Sequence, residues 1–167
     1  MKRISRIALI GFCLAASSLA NAAAMSDYLE NKVIDWLVRG QTFTPPATVY
    51  FALATSAGSD VACGTEVSGG SYARVAVTSS LANWAGTQSS GSTVASSGTS
   101  GTTSNNATIT FPAPTANWGV VVEYCVFDAS TSGNLLWRTS LTTSKTINNG
   151  DSAPSFAAGA ATFQIDN

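Results

Sequence analysis

Apolar positions recur along this chain in two rhythms. Between Ser26 and Gly40 they fall at Leu29, Val33, Trp36 and Leu37, the i, i+4, i+7, i+8 spacing that lines one side of an α-helix. Ser26 and Asp27 both suit an N-cap, Asp27 with Glu30 makes a capping-box-like pair, Asp35 can pair with Arg39 one turn on, and Gly40 is placed to end the helix. The pattern predicts a helix over 27–39. Its apolar side either packs on the chain's own body or docks on another subunit, in which case Leu29, Val33, Trp36 and Leu37 are the docking residues.

After Thr44-Pro45-Pro46, which cannot continue a helix, the period becomes two: Val49, Phe51 and Leu53 alternate with Tyr50, Ala52 and Ala54. Similar runs lie at Tyr72–Thr78, Ala107–Phe111, Val120–Phe127, Leu135–Leu141 and Ala160–Ile165, bounded by Gly, Asn, Asp, Ser or Pro. Asn148-Asn149-Gly150-Asp151 reads as a tight turn between Lys145–Ile147 and the last run. Strands at such short spacing, with no second helical period, predict a mainly β protein. The architecture expected is an antiparallel β-sandwich, or a barrel-like closure, preceded by one N-terminal α-helix. Residues 25–167 then form a single β-rich domain.

One stretch fits neither rhythm. From Gly86 to Asn106, sixteen of twenty-one residues are Gly, Ser or Thr, and Val94 and Ala95 are the apolar exceptions. Such a segment builds no core of its own. It reads as a surface excursion, a mobile tether or a hairpin with Thr-rich strands.

The first 24 residues have a different logic. Lys2, Arg3 and Arg6 precede an apolar run from Ile7 to Leu19 and small residues from Ala20 to Ala24, the order of a secretory signal peptide, with cleavage after Ala22 or Ala24. The rival reading takes Met25 as the start of the protein. The run is shorter than the roughly 20 residues of a spanning helix, so no membrane association is expected after cleavage. Removing the segment leaves five cations against nine anions, a net charge of −4. The expected location is the periplasm, cell surface or extracellular space, with a virion as the alternative.

Composition then narrows the chemistry. The chain of 167 residues has no histidine, which removes Ser-His-Asp and Cys-His catalysis and the commonest zinc ligand. Five scattered cations make no phosphate-binding stripe, so nucleic acid is not an expected partner. No glycine motif of phosphate- or dinucleotide-binding type is present. No catalytic, cofactor or metal residue is assigned. Cys63 and Cys125 remain after processing and are a candidate disulfide if the chain is exported. Asp128, Ser130, Ser132, Gly133 and Asn134 match the first half of a calcium loop, but Thr139 stands where its bidentate glutamate belongs, and a strand reversal is the simpler reading. Asp60, Glu66, Glu123 and Asp128 are carboxylates outside the helix that a glycosidase pair would need; solvated turn and edge charges are the plainer alternative.

Long segments carry a resemblance. MSDYLENKVIDWLVRGQTFTPPATVYFAL from Met25, GTEVSGGSYAR from Gly64, GTSGTTSNNATITFPAPTANWG from Gly98, VFDASTSGNLLW from Val126, LTTSKTINNGD from Leu141 and SFAAGA from Ser155 together resemble a family of small phage and prophage tail-fibre-like proteins. The resemblance implies a virion or tail-associated structural protein, β-rich and without assigned enzymatic activity. Its expected partners are copies of itself or other structural subunits, and a cell-surface receptor or glycan. Two features depart from the family pattern: the export signal before Met25, and Cys63 and Cys125 where small residues are expected. Both fit a phage-type module adapted to an oxidising compartment. The alternative reading is a secreted carbohydrate-binding or carbohydrate-active domain.

Overall fold

A computed structural model describes residues 24–165, so the predicted export signal, apart from Ala24, lies outside the described residues. The chain runs β1 (Ala24–Met25), α1 (Asp27–Val38), β2 (Thr48–Ala54), β3 (Val75–Thr78), β4 (Thr102–Ser104), β5 (Ile109–Thr110), β6 (Gly119–Phe127), β7 (Leu135–Ile147), β8 (Ser155–Phe156) and β9 (Thr162–Gln164). Five strands form an antiparallel sheet in the order β1-β7-β6-β2-β3, and β4-β9 and β5-β8 form two antiparallel ribbons. The fold is mainly β with one helix near its N-terminal end, as the two rhythms predict.

The helix begins one residue earlier in its capping than the Asp27/Glu30 pair suggests. Ser26 is the cap: its extended backbone lets Oγ accept from Leu29 N–H at 3.2 Å. The same hydroxyl donates to the Leu135 carbonyl, and Ser26 N–H reaches Leu136 O at 3.0 Å, so the cap also fastens α1 to β7. Asp27 and Glu30 instead occupy the first turn, where their charge suits the exposed N–H groups. Asp35 pairs with Arg39 at 3.3 Å as expected, and Gly40 leaves the helix at φ +68°.

Alternation decides which face of the sheet meets the core. Phe51 stands opposite Val126 on one side and Val75 on the other, Leu53 opposite Tyr124, and Val126 opposite Trp137, so these side chains share one face. Both ribbons cover that face: Phe163 of β9 lies 6.0 Å from Phe51 and 5.3 Å from Trp137, and Phe156 of β8 lies 4.9 Å from Tyr124, ring centre to ring centre. The result is sandwich-like, one broad sheet against two narrow ribbons.

Strand boundaries depart from the pattern where side chains have other partners. The run at Tyr72–Thr78 is strand only from Val75, Ala107–Phe111 only at Ile109–Thr110, and Ala160–Ile165 only at Thr162–Gln164. Leu135–Leu141 and Lys145–Ile147 are one strand with an irregularity between them. The Gly/Ser/Thr-rich segment is not wholly outside the body. Ala85 N–H bonds Ser104 O at 2.8 Å, Thr103 Oγ1 donates to Ala85 O at 2.7 Å, and β4 pairs with β9. Asn105 is buried: its amide donates to Ala107 O and Ala157 O, both at 2.8 Å, and accepts from Ala161 N–H at 2.9 Å. The end of the excursion is therefore a fastener for the final strand, a role that composition hides because Thr and Asn serve in pairing and turns alike.

Candidate functional site

On the face of the sheet away from the ribbons the apolar patch is narrow, built of Ala52, Cys125, Phe127 and Leu135 with Tyr50 and Cys63 against it. The loop joining β2 to β3 closes over this patch, held by three devices. The first is covalent: Cys63 in the loop is bonded to Cys125 of β6, with Cα atoms 6.0 Å apart across 62 residues of sequence.

The second is ionic. Glu123 of β6 is completely buried, and its carboxylate accepts from Gly58 N–H at 3.1 Å and Gly64 N–H at 3.3 Å. Arg138 of β7 lies 3.6 Å from its other oxygen and bonds Asp60 of the loop at 2.9 Å. Taking a carboxylate out of water is costly unless hydrogen-bond donors and a counter-charge face it, and Glu123 has both. The two glycines have a steric reason: a Cβ at Gly58 would come within 2.4 Å of Ala62 O, and one at Gly64 within 1.8 Å of Ser56 O.

The third device is a relay through the motif from Gly64 to Arg74. Tyr72 Oη accepts from Leu53 N–H at 2.9 Å and donates to Glu66 at 3.0 Å. Arg74 grips both oxygens of Glu66, at 2.8 and 2.7 Å, and its guanidinium stacks 3.6 Å over the Phe127 ring. Burial pushes the Tyr72 phenol well above its ordinary range, and the neighbouring Glu66 charge adds to this. One more Arg74 nitrogen donates to Ala129 O and Ser132 O, at 2.9 and 2.8 Å.

That last contact bears on the calcium-like loop. The loop's inward carbonyls hold a guanidinium, and Asp128 accepts from Asn134 N–H and from the Asn134 amide, both at 2.7 Å. Gly133 turns at φ +78°. The segment is a strand reversal closed from within. A second donor set, Cys63, Cys125 and Glu123, brings its ligand atoms within 4.8 Å of one another. Its sulfurs are bonded to each other and its carboxylate is held by backbone N–H groups, so no thiolate is available to a metal.

The four carboxylates weighed for glycoside hydrolysis are each engaged internally: Asp60 with Arg138, Glu66 with Arg74 and Tyr72, Glu123 with the loop, Asp128 with Asn134. They are fasteners. Sequence reasoning missed Tyr72, Arg74, Arg138 and Asn105 because nothing in their spacing distinguishes an internal partner from a solvated one. The GTEVSGGSYAR segment that carries part of the family resemblance, with a glutamate eight residues before its arginine, was the one available signal. The double glycine there serves a turn at φ +74° and +54°, and Gly70 O accepts from Trp118 Nε1 at 3.0 Å.

The helix divides differently from the expectation. Leu29 is buried and Val33 packs on the core. Trp36 and Leu37 do not pack on the body: they are 58% and 67% exposed, beside Ile34 at 51% and Val38 at 72%. The last turn and a half of α1 thus presents four large apolar side chains to solvent, clustered at one end of the helix though spread around its axis; exposed apolar clusters mark contact surfaces. Among the described residues no helix is long and apolar enough to cross a membrane.

A family model described as Gp80, podophage GP4 fiber I protein gp80, matches residues 24–164. No curated protein matches the chain.

Proposed function

Because this chain belongs to the podophage GP4 fibre I protein family, whose role is structural, we propose that it is a non-enzymatic subunit, exported, that acts by contact with copies of itself, with other subunits or with a cell-surface receptor. The docking surface is the end of α1, and the observation that carries the reading is the exposure of Ile34, Trp36, Leu37 and Val38, Trp36 being exposed where every other aromatic side chain among the described residues is buried or half-buried. Covering four such side chains removes apolar area from water at about 25 cal/mol per Å², the usual driving force for association.

The test is assembly. Light scattering on the purified chain should give a multiple of the single-chain mass. Trp36→Asp with Leu37→Asp should return it to one chain with an unchanged unfolding midpoint. A wild-type chain that stays single and does not co-purify with particles would count decisively against the proposal. Export has its own test. Cleavage after Ala22 leaves Ala24 and Met25 to pair with Arg138 and Trp137, so the natural protein should begin at Ala23; a natural protein retaining Met1 contradicts export.

A further inference from the structure

Strand β7 contains a large irregularity. Glu123 pairs with Ser140 and Val121 with Lys145, so the single residue Val122 of β6 faces four residues of β7, Leu141–Ser144. Bulges of this kind re-aim side chains and cluster near binding sites. Here Leu141, the first residue of the excess, and Lys145, the residue after it, both line one hollow between the main sheet and the β5-β8 ribbon. Its walls are Leu53, Val121 and Ile147 from the sheet side and Phe111 and Phe156 from the other, and its volume is about 200 Å³. A cavity of about 150 Å³ lined by such residues takes a benzene ring, so this one has room for a ring or short chain with an arm.

Lys145 is what gives the hollow a polarity. Among the five cations after Met25, Arg39, Arg74 and Arg138 are in ion pairs and Lys32 lies over the Tyr28 ring. Lys145 has no such partner among the described residues and stands exposed at the rim. Asp151 lines the adjoining polar hollow, where its carboxylate accepts from Asn148 N–H at 2.7 Å. We propose that the hollow binds a small alkyl or aryl carboxylate, its apolar body against Leu53, Phe111 and Phe156 and its carboxylate on the Lys145 ammonium. The pairing follows from an apolar enclosure with one positive charge at its mouth that forms no ion pair among the described residues, although Asp151 shares the adjoining hollow with it.

Octanoate and 3-phenylpropionate are the probes, titrated into the full chain with methyl-labelled Leu, Val and Ile and followed by NMR. Saturable shifts confined to the methyls of Leu53, Val121, Leu141 and Ile147 are expected, with a Kd of roughly 0.1–1 mM for ligands of about ten heavy atoms. Octylamine should bind at least about tenfold more weakly. Lys145→Glu should weaken octanoate by a similar factor, Lys145→Arg should retain it, and Leu141→Trp should abolish it by filling the space, each with the unfolding midpoint monitored. Failure to saturate, equal binding of octylamine, indifference to Lys145→Glu in a folded variant, or shifts scattered over the surface would each overturn the proposal.

Discussion

The two faces of the five-stranded sheet are built on opposite principles. Toward the ribbons lies an aromatic core in which Phe51 touches Trp84, Tyr124, Phe156 and Phe163 at 5.9–6.3 Å. Away from them a narrow patch is closed by a disulfide, a buried carboxylate and an arginine relay. The first face coheres by non-directional burial, which tolerates approximate shapes. The second depends on named partners at fixed positions, each costly to leave unpaired. A sheet with enough apolar side chains for only one full core can still hold a loop on its back, provided specific bonds replace area.

Substitutions can break this comparison or sharpen it. The largest effect is expected on the aromatic face: Phe51→Ala, at a fully buried position, should cost about 5 kcal/mol, read from denaturant midpoints. Next comes the disulfide. Replacing Cys63 and Cys125 by Ser and Ala opens a closure of 62 residues and should cost about 4 kcal/mol in the chain-entropy model. Reduction of the wild type should lower its midpoint by the same amount; an unchanged midpoint would mean that the ionic fasteners suffice.

Tyr72→Phe should cost about 2 kcal/mol, because it leaves Leu53 N–H without its acceptor and takes from Glu66 one of its donors, Arg74 remaining. It also has a pH signature. The folded phenol titrates above its unfolded value of about 10, so its contribution is complete below that pH and declines as pH rises beyond it, while the unfolded chain releases a proton that the folded chain keeps. Stability of the wild type should therefore fall more steeply above about pH 10 than that of Tyr72→Phe. Smallest is Ser26→Ala at the helix cap, about 1 kcal/mol.

The aromatic face was legible in the sequence, since period-two alternation at Val49, Phe51 and Leu53 fixes which side chains share a side. The helix was legible for a similar reason, down to the Asp35–Arg39 pair. Its outer half was not: spacing shows that Trp36 and Leu37 lie on the apolar side of the helix, but how far the sheet extends beneath them depends on β1 and β7, which are distant in sequence. The cysteines were readable as candidates, their closeness only from the fold. Glu66 and Glu123 were visible as carboxylates, yet whether a carboxylate acts, binds or fastens is set by partners 6 to 65 residues away. Strand β4 was obscured because Thr102–Ser104 carries no apolar side chain to betray it.

The two cradling glycines leave a mark on how such a chain can change over generations. Any side chain at Gly64 would push the loop off the Glu123 carboxylate, and a chain that lost the carboxylate would gain nothing from keeping the glycines. Gly58, Gly64 and Glu123 are therefore expected to be inherited or discarded together, as one heritable unit assembled from distant parts of the gene.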